Sequence, residues 1–186
     1  SVTPTAVAPL LIREFPEVEK AVRAYQYNDA ALIRKGNDWV KESKLKFVDR
    51  EFLEVFDYPI IAGDAHNALA NPNTIVLTKD LALKYFQEAD PIGKTLRIDD
   101  TDRIVTAVID NPPTYSEIQF SALLSNVGLE RYKEENWGSA NDMTFILLKD
   151  PSQLGALEKK FNTRIEEMFK DAFANGYTIK MSMESL

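Results

Sequence analysis

The chain reads as an α+β protein of two lobes, the second inserted into the first. Its two ends pattern as helix-strand and as strand-helix-strand, while the middle carries helices and strands of its own. The 186 residues, 45% of them apolar and 27% charged, suffice for one ordinary domain or two small lobes sharing a border. The discontinuous first lobe, helices packed on a sheet, takes residues 1–50 and 115–186, and the small α+β insert takes 51–114. A chain of this length buries roughly 70% of the surface its unfolded form exposes, so its core needs no cross-links.

The elements follow in order. Thr3-Pro4 predicts a helix start, Thr as N-cap and Pro at the first helical position. Val7, Leu10 and Leu11 share one face of that helix, and Pro16 ends it. Val18 to Lys35 is rich in Val, Tyr and Ile, with a polar break at Asn28-Asp29, which predicts two strands around a turn. Gly36-Asn37-Asp38 is a second turn. Trp39 to Val48 then predicts one half-buried strand, Leu45 and Phe47 facing in, Lys44 and Lys46 facing out.

Asp49 is placed to cap a short helix carrying Phe52, Val55 and Phe56, which Pro59 and Gly63 break. Thr74 to Leu77 predicts a strand, and Thr78 caps a helix bearing Leu81, Ala82, Tyr85 and Phe86. The turn Asp90-Pro91-Ile92-Gly93 leads Leu96 and Ile98 into another strand. Ile104 to Ile109 is apolar on both faces, a central strand that Asn111-Pro112-Pro113 stops. Ile118, Phe120, Ala122 and Leu124 alternate as a strand, 126–143 is an irregular excursion around Trp137, and Thr144 to Leu148 is a buried strand. Asp150-Pro151-Ser152-Gln153 opens a helix whose stripe runs Leu154, Leu157, Phe161, Ile165, Met168 and Phe169. Asn175-Gly176 suits its left-handed cap, and a last strand follows with Tyr177, Ile179, Met181 and Met183 on one face.

A net charge of −7 argues against nucleic acid as a partner, since phosphates are bound by Lys and Arg clusters absent here, and disfavours docking on an anionic leaflet. The absence of cysteine removes disulfides, thiolate nucleophiles and Cys-based metal sites. No apolar run approaches the roughly 18–20 residues of a membrane span, and no signal peptide is visible. An interior start at Ser1 followed at once by folding signals looks like an excised domain.

Catalytic chemistry finds little to work with. His66, the only histidine, sits in the polar loop Asp64-Ala65-His66-Asn67 with no nucleophile elbow, so it reads as a solvated loop residue. Gly93-Lys94-Thr95 imitates the end of a phosphate-binding loop, but Glu88 stands where the motif requires its first Gly, and a strand follows where a helix is needed. The pairs Asp99-Asp100-Asp102, Glu134-Glu135 and Glu166-Glu167 read as solvated turns and faces; the first lacks the Gly and distal Glu of a calcium loop. Trp39 and Trp137 are candidate exposed anchors for a partner. Tyr25/Tyr27 and Met181/Met183 lie at strand spacing and read as packing. No catalytic, cofactor-binding or metal residue is assigned.

The middle of the chain carries a continuous phrase. Phe52 and Phe56 at helical spacing precede Gly63-Asp64, Ala68-Leu69, Val76-Leu77-Thr78, Ala82, Tyr85-Phe86 and Asp90 to Leu96. Val105-Thr106-Ala107-Val108, Asp110, Pro112 and Ser116 continue it. This resembles the periplasmic core domain of MacB/FtsX-type ABC transporter permeases over most of the chain. Ala107 replaces a frequent Gly, Gln87 replaces the Gly that often follows Tyr-Phe, and Glu117 stands where His is common.

The resemblance implies a non-enzymatic domain between the first two membrane helices of a permease, facing the periplasm or the cell exterior at the bacterial cytoplasmic membrane. It implies a porter-like lobe built from both ends of the segment, 1–50 and 115–186, with a second lobe inserted, and no cofactor. ATP would be hydrolysed by a separate cytoplasmic ABC ATPase subunit or domain, and the partners would include a second permease copy or half and a periplasmic adaptor or effector. The domain would transmit conformational change to export a substrate, extract a lipoprotein or regulate a partner, hinging near Asp49-Arg50 and Asn111-Pro112-Pro113. The alternatives are a stand-alone periplasmic peptide- or lipid-binding module and, last, a hydrolase using a carboxylate pair.

Overall fold

The β-branched and aromatic runs become eleven described strands in one mixed sheet, with helices on its faces, in a computed structural model that describes residues 2–87 and 89–186. Ser1 and Glu88, and with Glu88 the residue that breaks the phosphate-loop pattern, lie outside the described residues. The first half comprises β1 (Thr3–Pro4), α1 (Val7–Glu14), β2 (Val18–Gln26), β3 (Ala31–Lys35), β4 (Asp38–Glu42), β5 (Leu45–Val48), α2 (Phe52–Val55) and β6 (Ile60–Gly63). The second comprises β7 (Thr74–Thr78), α3 (Lys79–Phe86), β8 (Thr95–Ile98), β9 (Thr101–Ile109), β10 (Ala122–Ser125), β11 (Ala140–Leu148), α4 (Leu154–Met168) and α5 (Lys170–Ala174). The mixed α+β class expected from the sequence is the class observed.

The sheet order is β1-β11-β2-β5-β10-β7-β9-β8-β3-β4, with β6 also on β9. Three apolar clusters hold it. One lies under α3, where Leu81 and Ala82 meet Ile75, Leu77, Ile98 and Leu124. A second packs Phe52 of α2 against Val22, Val48, Ile109, Phe120 and Leu123. The third joins Leu10 and Leu11 of α1 to Leu157, Phe161 and Ile165 of α4. Exposed pairs fasten that last contact, Arg164 Nε donating to Glu14 Oε2 at 2.6 Å and Lys160 Nζ to Glu17 Oε1 at 2.7 Å.

Several expectations need correction. Thr3-Pro4 does not open the first helix; it pairs with β11, and α1 begins at Val7 without a side-chain cap. β2 and β3 are two strands but no hairpin: β2 lies between β11 and β5, whereas β3 crosses to β8 and pairs with β4 through the Gly36-Asn37 turn. The hairpin at 31–42 therefore joins the sheet beside the 51–114 segment. Trp39 to Val48 is two strands, because Lys44 turns with φ 63°. β5 is buried on both faces, since apolar clusters lie above and below it, and Lys46 survives there only by donating to Gln26 Oε1 at 2.8 Å. Burial pulls the Lys46 pKa down.

Further along, Ile60–Gly63 is a strand that the sequence reading missed, and the strand expected from Ile118 shortens to Ala122–Ser125. β11 starts earlier, at Ala140, and its Met143–Leu148 stretch is only half-buried. Residues 177–186 pair with no described strand. Thr78, by contrast, caps α3 as expected, its Oγ1 accepting from the Leu81 N–H at 3.4 Å. Gly176 takes the left-handed turn after α5, with φ +84°.

Two backbone positions yield a test. Gly63 has φ +83°, and a Cβ there would lie 2.2 Å from the Thr106 carbonyl oxygen. Gln87, at the end of α3, is forced to φ 54° and ψ −124°, a conformation that favours glycine. Gly63→Ala should destabilise by about 3 kcal/mol through strain and overpacking. Gln87→Gly should stabilise by about 1 kcal/mol. Urea denaturation of the two variants checks both signs.

Candidate functional site

The groups in best-defined geometry form an ionic joint where the first and last thirds of the chain meet. Arg23 sits in β2 between buried Val22 and Ala24. Its backbone N–H and its Nε donate to Asp49 Oδ2 at 2.7 and 2.8 Å, and its Nη2 donates to Oδ1 at 2.8 Å. Asn126 Nδ2 adds a fourth donor to Asp49 Oδ1, at 2.6 Å, and Arg23 Nη1 reaches the Thr5 carbonyl at 3.1 Å. Asp49, expected as a helix cap, instead ties β2, the exit of β10 and the lead-in to α1 to the end of β5. The Phe52 N–H takes the Asp49 backbone carbonyl instead of its carboxylate, at 3.0 Å.

A second buried carboxylate continues the joint. Asp142 of β11 is fully buried; Tyr132 Oη donates to its Oδ1 at 2.5 Å and Arg131 Nη2 to its Oδ2 at 3.0 Å. Thr3 Oγ1 donates to the Asp142 backbone carbonyl at 3.0 Å. The Arg23 guanidinium lies 4.4 Å from the Tyr132 ring centre, and that of Arg131 lies 3.7 Å from the Tyr25 ring centre. Two cations and two anions thus balance with little water present. Burial opposes the charge on Arg23, but the hydrogen bonds and charge of Asp49 outweigh it and its pKa is raised. Burial, then donation to Asp142, drives the Tyr132 pKa upward. The oxygens of Asp49 and Asp142 are taken up by these donors, so the arrangement offers a reactant no base or nucleophile. It positions segments.

The residues singled out in the sequence do not assemble into a site. His66 is exposed, its Nδ1 3.8 Å from Glu54 Oε1. Gly93-Lys94-Thr95 is a turn at φ +79°, its Gly93 N–H donating to the Val105 carbonyl at 2.8 Å. The acidic pairs disperse: Asp99 accepts from Tyr27 Oη at 2.6 Å and the Leu32 N–H at 2.9 Å, Asp102 pairs with Arg97, Glu135 with Arg13 and Glu167 with Arg164. Among the described residues no three His, Cys, Asp or Glu side chains are placed to hold a metal ion. Trp39 is 47% exposed on the β3–β4 hairpin, whereas Trp137 packs edge-on against Phe169 at 5.5 Å. Met181 and Met183 pack on the α1–α4 cluster.

One cavity of about 530 Å³ lies beside β11. Thr144 to Leu148 form one wall, residues 181–186 another, and Val7, Leu11 and Phe161 line its apolar interior. The sequence reading found neither the ionic joint nor this cavity. Arg23 and Asp49 are 26 positions apart, Asn126 and Asp49 77 apart, and the only local hint was a charged residue inside an apolar strand.

The fold, a wide mixed sheet with helices on its faces, is shared by solved structures. The fold matches a domain assigned to a permease protein of Porphyromonas gingivalis, with TM-score 0.77 and 23% identity over 92% of this chain and 80% of that one. It matches the periplasmic region of MacB from Actinobacillus actinomycetemcomitans with TM-score 0.68 and 13% identity, over 89% of this chain and 74% of that one. It also matches the extracellular domain of the ABC-type transporter YknZ from Gram-positive bacteria, with TM-score 0.61 and 12% identity over 84% and 79% of the two chains. No curated protein matches the sequence. The family profile of the MacB-like periplasmic core domain matches residues 1–164, and the chain belongs to that family.

One outcome follows from the joint and another from Tyr27. Asp49→Ala leaves the Arg23 guanidinium buried without its carboxylate, and should cost about 3–5 kcal/mol in chemical denaturation. Tyr27 is pushed up to about 12 by burial and by donation to Asp99, from an ordinary 10.0. The folded state therefore keeps that proton longer than the unfolded one. Its contribution is fully present below pH 10 and is lost as pH rises from 10 to 12. The melting temperature should fall across that window, and fall less in Tyr27→Phe.

Proposed function

We propose that this chain is the extracytoplasmic, non-enzymatic domain of an ABC transporter permease that passes ATP-driven conformational change across the membrane. The observation that carries the reading is the MacB-like periplasmic core domain match over residues 1–164. Among the described residues no helix is long and apolar enough to cross a membrane, so attachment would come from membrane helices of the parent on either side. ATP would be hydrolysed by a cytoplasmic ABC ATPase, a second permease copy or half would complete the transporter, and a periplasmic adaptor or effector would receive the motion. Export of a substrate, extraction of a lipoprotein and activation of a partner are all served by such a domain.

The proposed moving parts are a lobe from 1–50 with 115–186 and an inserted lobe at 51–114, the β3–β4 hairpin travelling with the insert because it pairs with β8. The crossings lie near Asp49-Arg50 and Asn111-Pro112-Pro113. Coupling requires two states of unequal affinity for the nucleotide-bound ATPase. Because Asp49 is clamped by four donors, motion at that crossing would turn about a fixed point.

Spin labels at Trp39→Cys and Lys160→Cys test this, since the chain has no cysteine of its own. In the assembled transporter their distance distribution should shift between the nucleotide-free and nucleotide-bound states. An unchanged distribution sinks the hinge. The cavity beside β11 favours a second reading, a stand-alone module binding a peptide or lipid, and saturable binding of such a ligand by the isolated domain would support it.

A further inference from the structure

Arg103 of β9 is a buried cation without a counter-charge. At the start of β9 burial alternates, Asp102 and Ile104 outward, Arg103 and Val105 inward. A charged side chain thus stands at a core position, opposite buried Leu96 of β8, and the residue is only 5% exposed. Arg23 and Arg131, by comparison, each meet a buried carboxylate, Asp49 and Asp142. Arg103 forms no ion pair and no hydrogen bond among the described residues, and its Nε is sealed from solvent without a partner. Burial holds its pKa below the ordinary arginine value.

The surroundings of the guanidinium support a cation only in part. Its carbon lies 5.2 Å from the centre of the Phe47 ring, whose face attracts a positive charge but does not neutralise it. Tyr27 packs on the same ring at 5.2 Å, and its hydroxyl is committed to Asp99 Oδ2 at 2.6 Å. Asp99 Oδ1 accepts from the Leu32 N–H at 2.9 Å, so that carboxylate has a donor on each oxygen. Nη1 and Nη2 of Arg103, also without a bond to a described residue, are not sealed as Nε is and reach the surface. The result is one half of a bidentate ion pair: a largely desolvated planar fork, backed by a ring, with its end donors open to an incoming group.

We propose that Arg103 anchors an anion site that takes a single carboxylate, end-on at Nη1 and Nη2. A buried unpaired charge is costly, and a ligand that supplies the missing charge recovers that cost on binding. Three features select the class of ligand. The fork matches the two oxygens of a planar carboxylate. The Tyr27 proton feels the charges of Asp99, Asp100 and Arg103 together, so a doubly charged phosphate entering here would meet two anions for one cation. The opening is narrow, since Arg103 keeps only 5% of its surface, so the carboxylate belongs to a small free acid or to the end of a peptide. The site goes beyond the permease reading and is independent of it.

Proton–nitrogen NMR of the 186-residue chain reads the site at the Arg103 Nε–H signal, assigned by its loss in Arg103→Lys. Sodium acetate should shift that signal saturably, with half-saturation on the order of 10 mM. Acetamide, which has the same shape without the charge, should leave it unmoved. In thermal unfolding, about 100 mM acetate should raise the melting temperature by about 3–5 °C, a gain absent from Arg103→Met. A signal that does not move, or moves without saturating, overturns the proposal. A thermal gain that persists in Arg103→Met places any acetate site elsewhere and overturns it too, as does phosphate binding as tightly as acetate. The titration uses the unaltered chain, so it decides even where Arg103→Met does not fold. N-acetylglycine separates the two sources: binding at least as tight as that of acetate assigns the site to a peptide end, and weaker binding assigns it to a small free acid.

Discussion

One carboxylate, Asp49, sets the geometry from which the first half of the sheet follows. Four donors converge on its two oxygens, and they come from β2 and from the segment just after β10. These segments are far apart in the chain, and apolar packing alone would hold them together without fixing how far each strand slides. A strand slip of one residue would turn every side chain to the other face. The bidentate fork of Arg23 on Asp49 tolerates no such slip, because its two contacts need the guanidinium and the carboxylate in one plane. Burying this pair costs desolvation, so its value is better placed in register than in net stability.

The joint also explains the asymmetry of the sheet. On the β5 side of β2, Arg23 commits its backbone to Asp49, and the ladder continues through β10, β7 and β9 with residues buried on both faces. On the β11 side, β1 pairs at Thr3 and Pro4, and a cavity bordered by residues 181–186 lies beside β11. Asp142 and its partners Tyr132, Arg131 and Thr3 lie at that transition and anchor the irregular excursion where the ladder ends. At the α1–α4 end a fully buried apolar cluster is fastened in addition by exposed ion pairs of small individual worth.

What the sequence disclosed was local. Thr78 could be recognised as a cap because its hydroxyl acts three residues on, and Ile104 to Ile109 as a central strand because its neighbours in sequence are apolar on both sides. The phrase from Phe52 to Leu96 was legible for the same reason, being a run of caps, turns and apolar periods. What stayed hidden was pairing. Lys46 alternates with apolar residues as a solvent-facing lysine would, yet β10 on one side and Gln26 on the other enclose it. Asp49 has the position of a helix cap, and only the fold shows that Arg23 outcompetes the helix for its carboxylate. The tail at 177–186 has the period of a strand, but period does not supply a partner.

Few buried polar atoms among the described residues lack a partner, Arg103 Nε and Arg131 Nε being two that do. Asp49 and Asp142 have donors on both oxygens, and the cavity beside β11 is lined largely by apolar side chains. The exposed Trp39 hairpin lies at the end of the sheet order away from β1 and β11. The sheet is continuous from β5 through β10 to β7, so any relative motion of the two proposed lobes would have to bend it between β10 and β7.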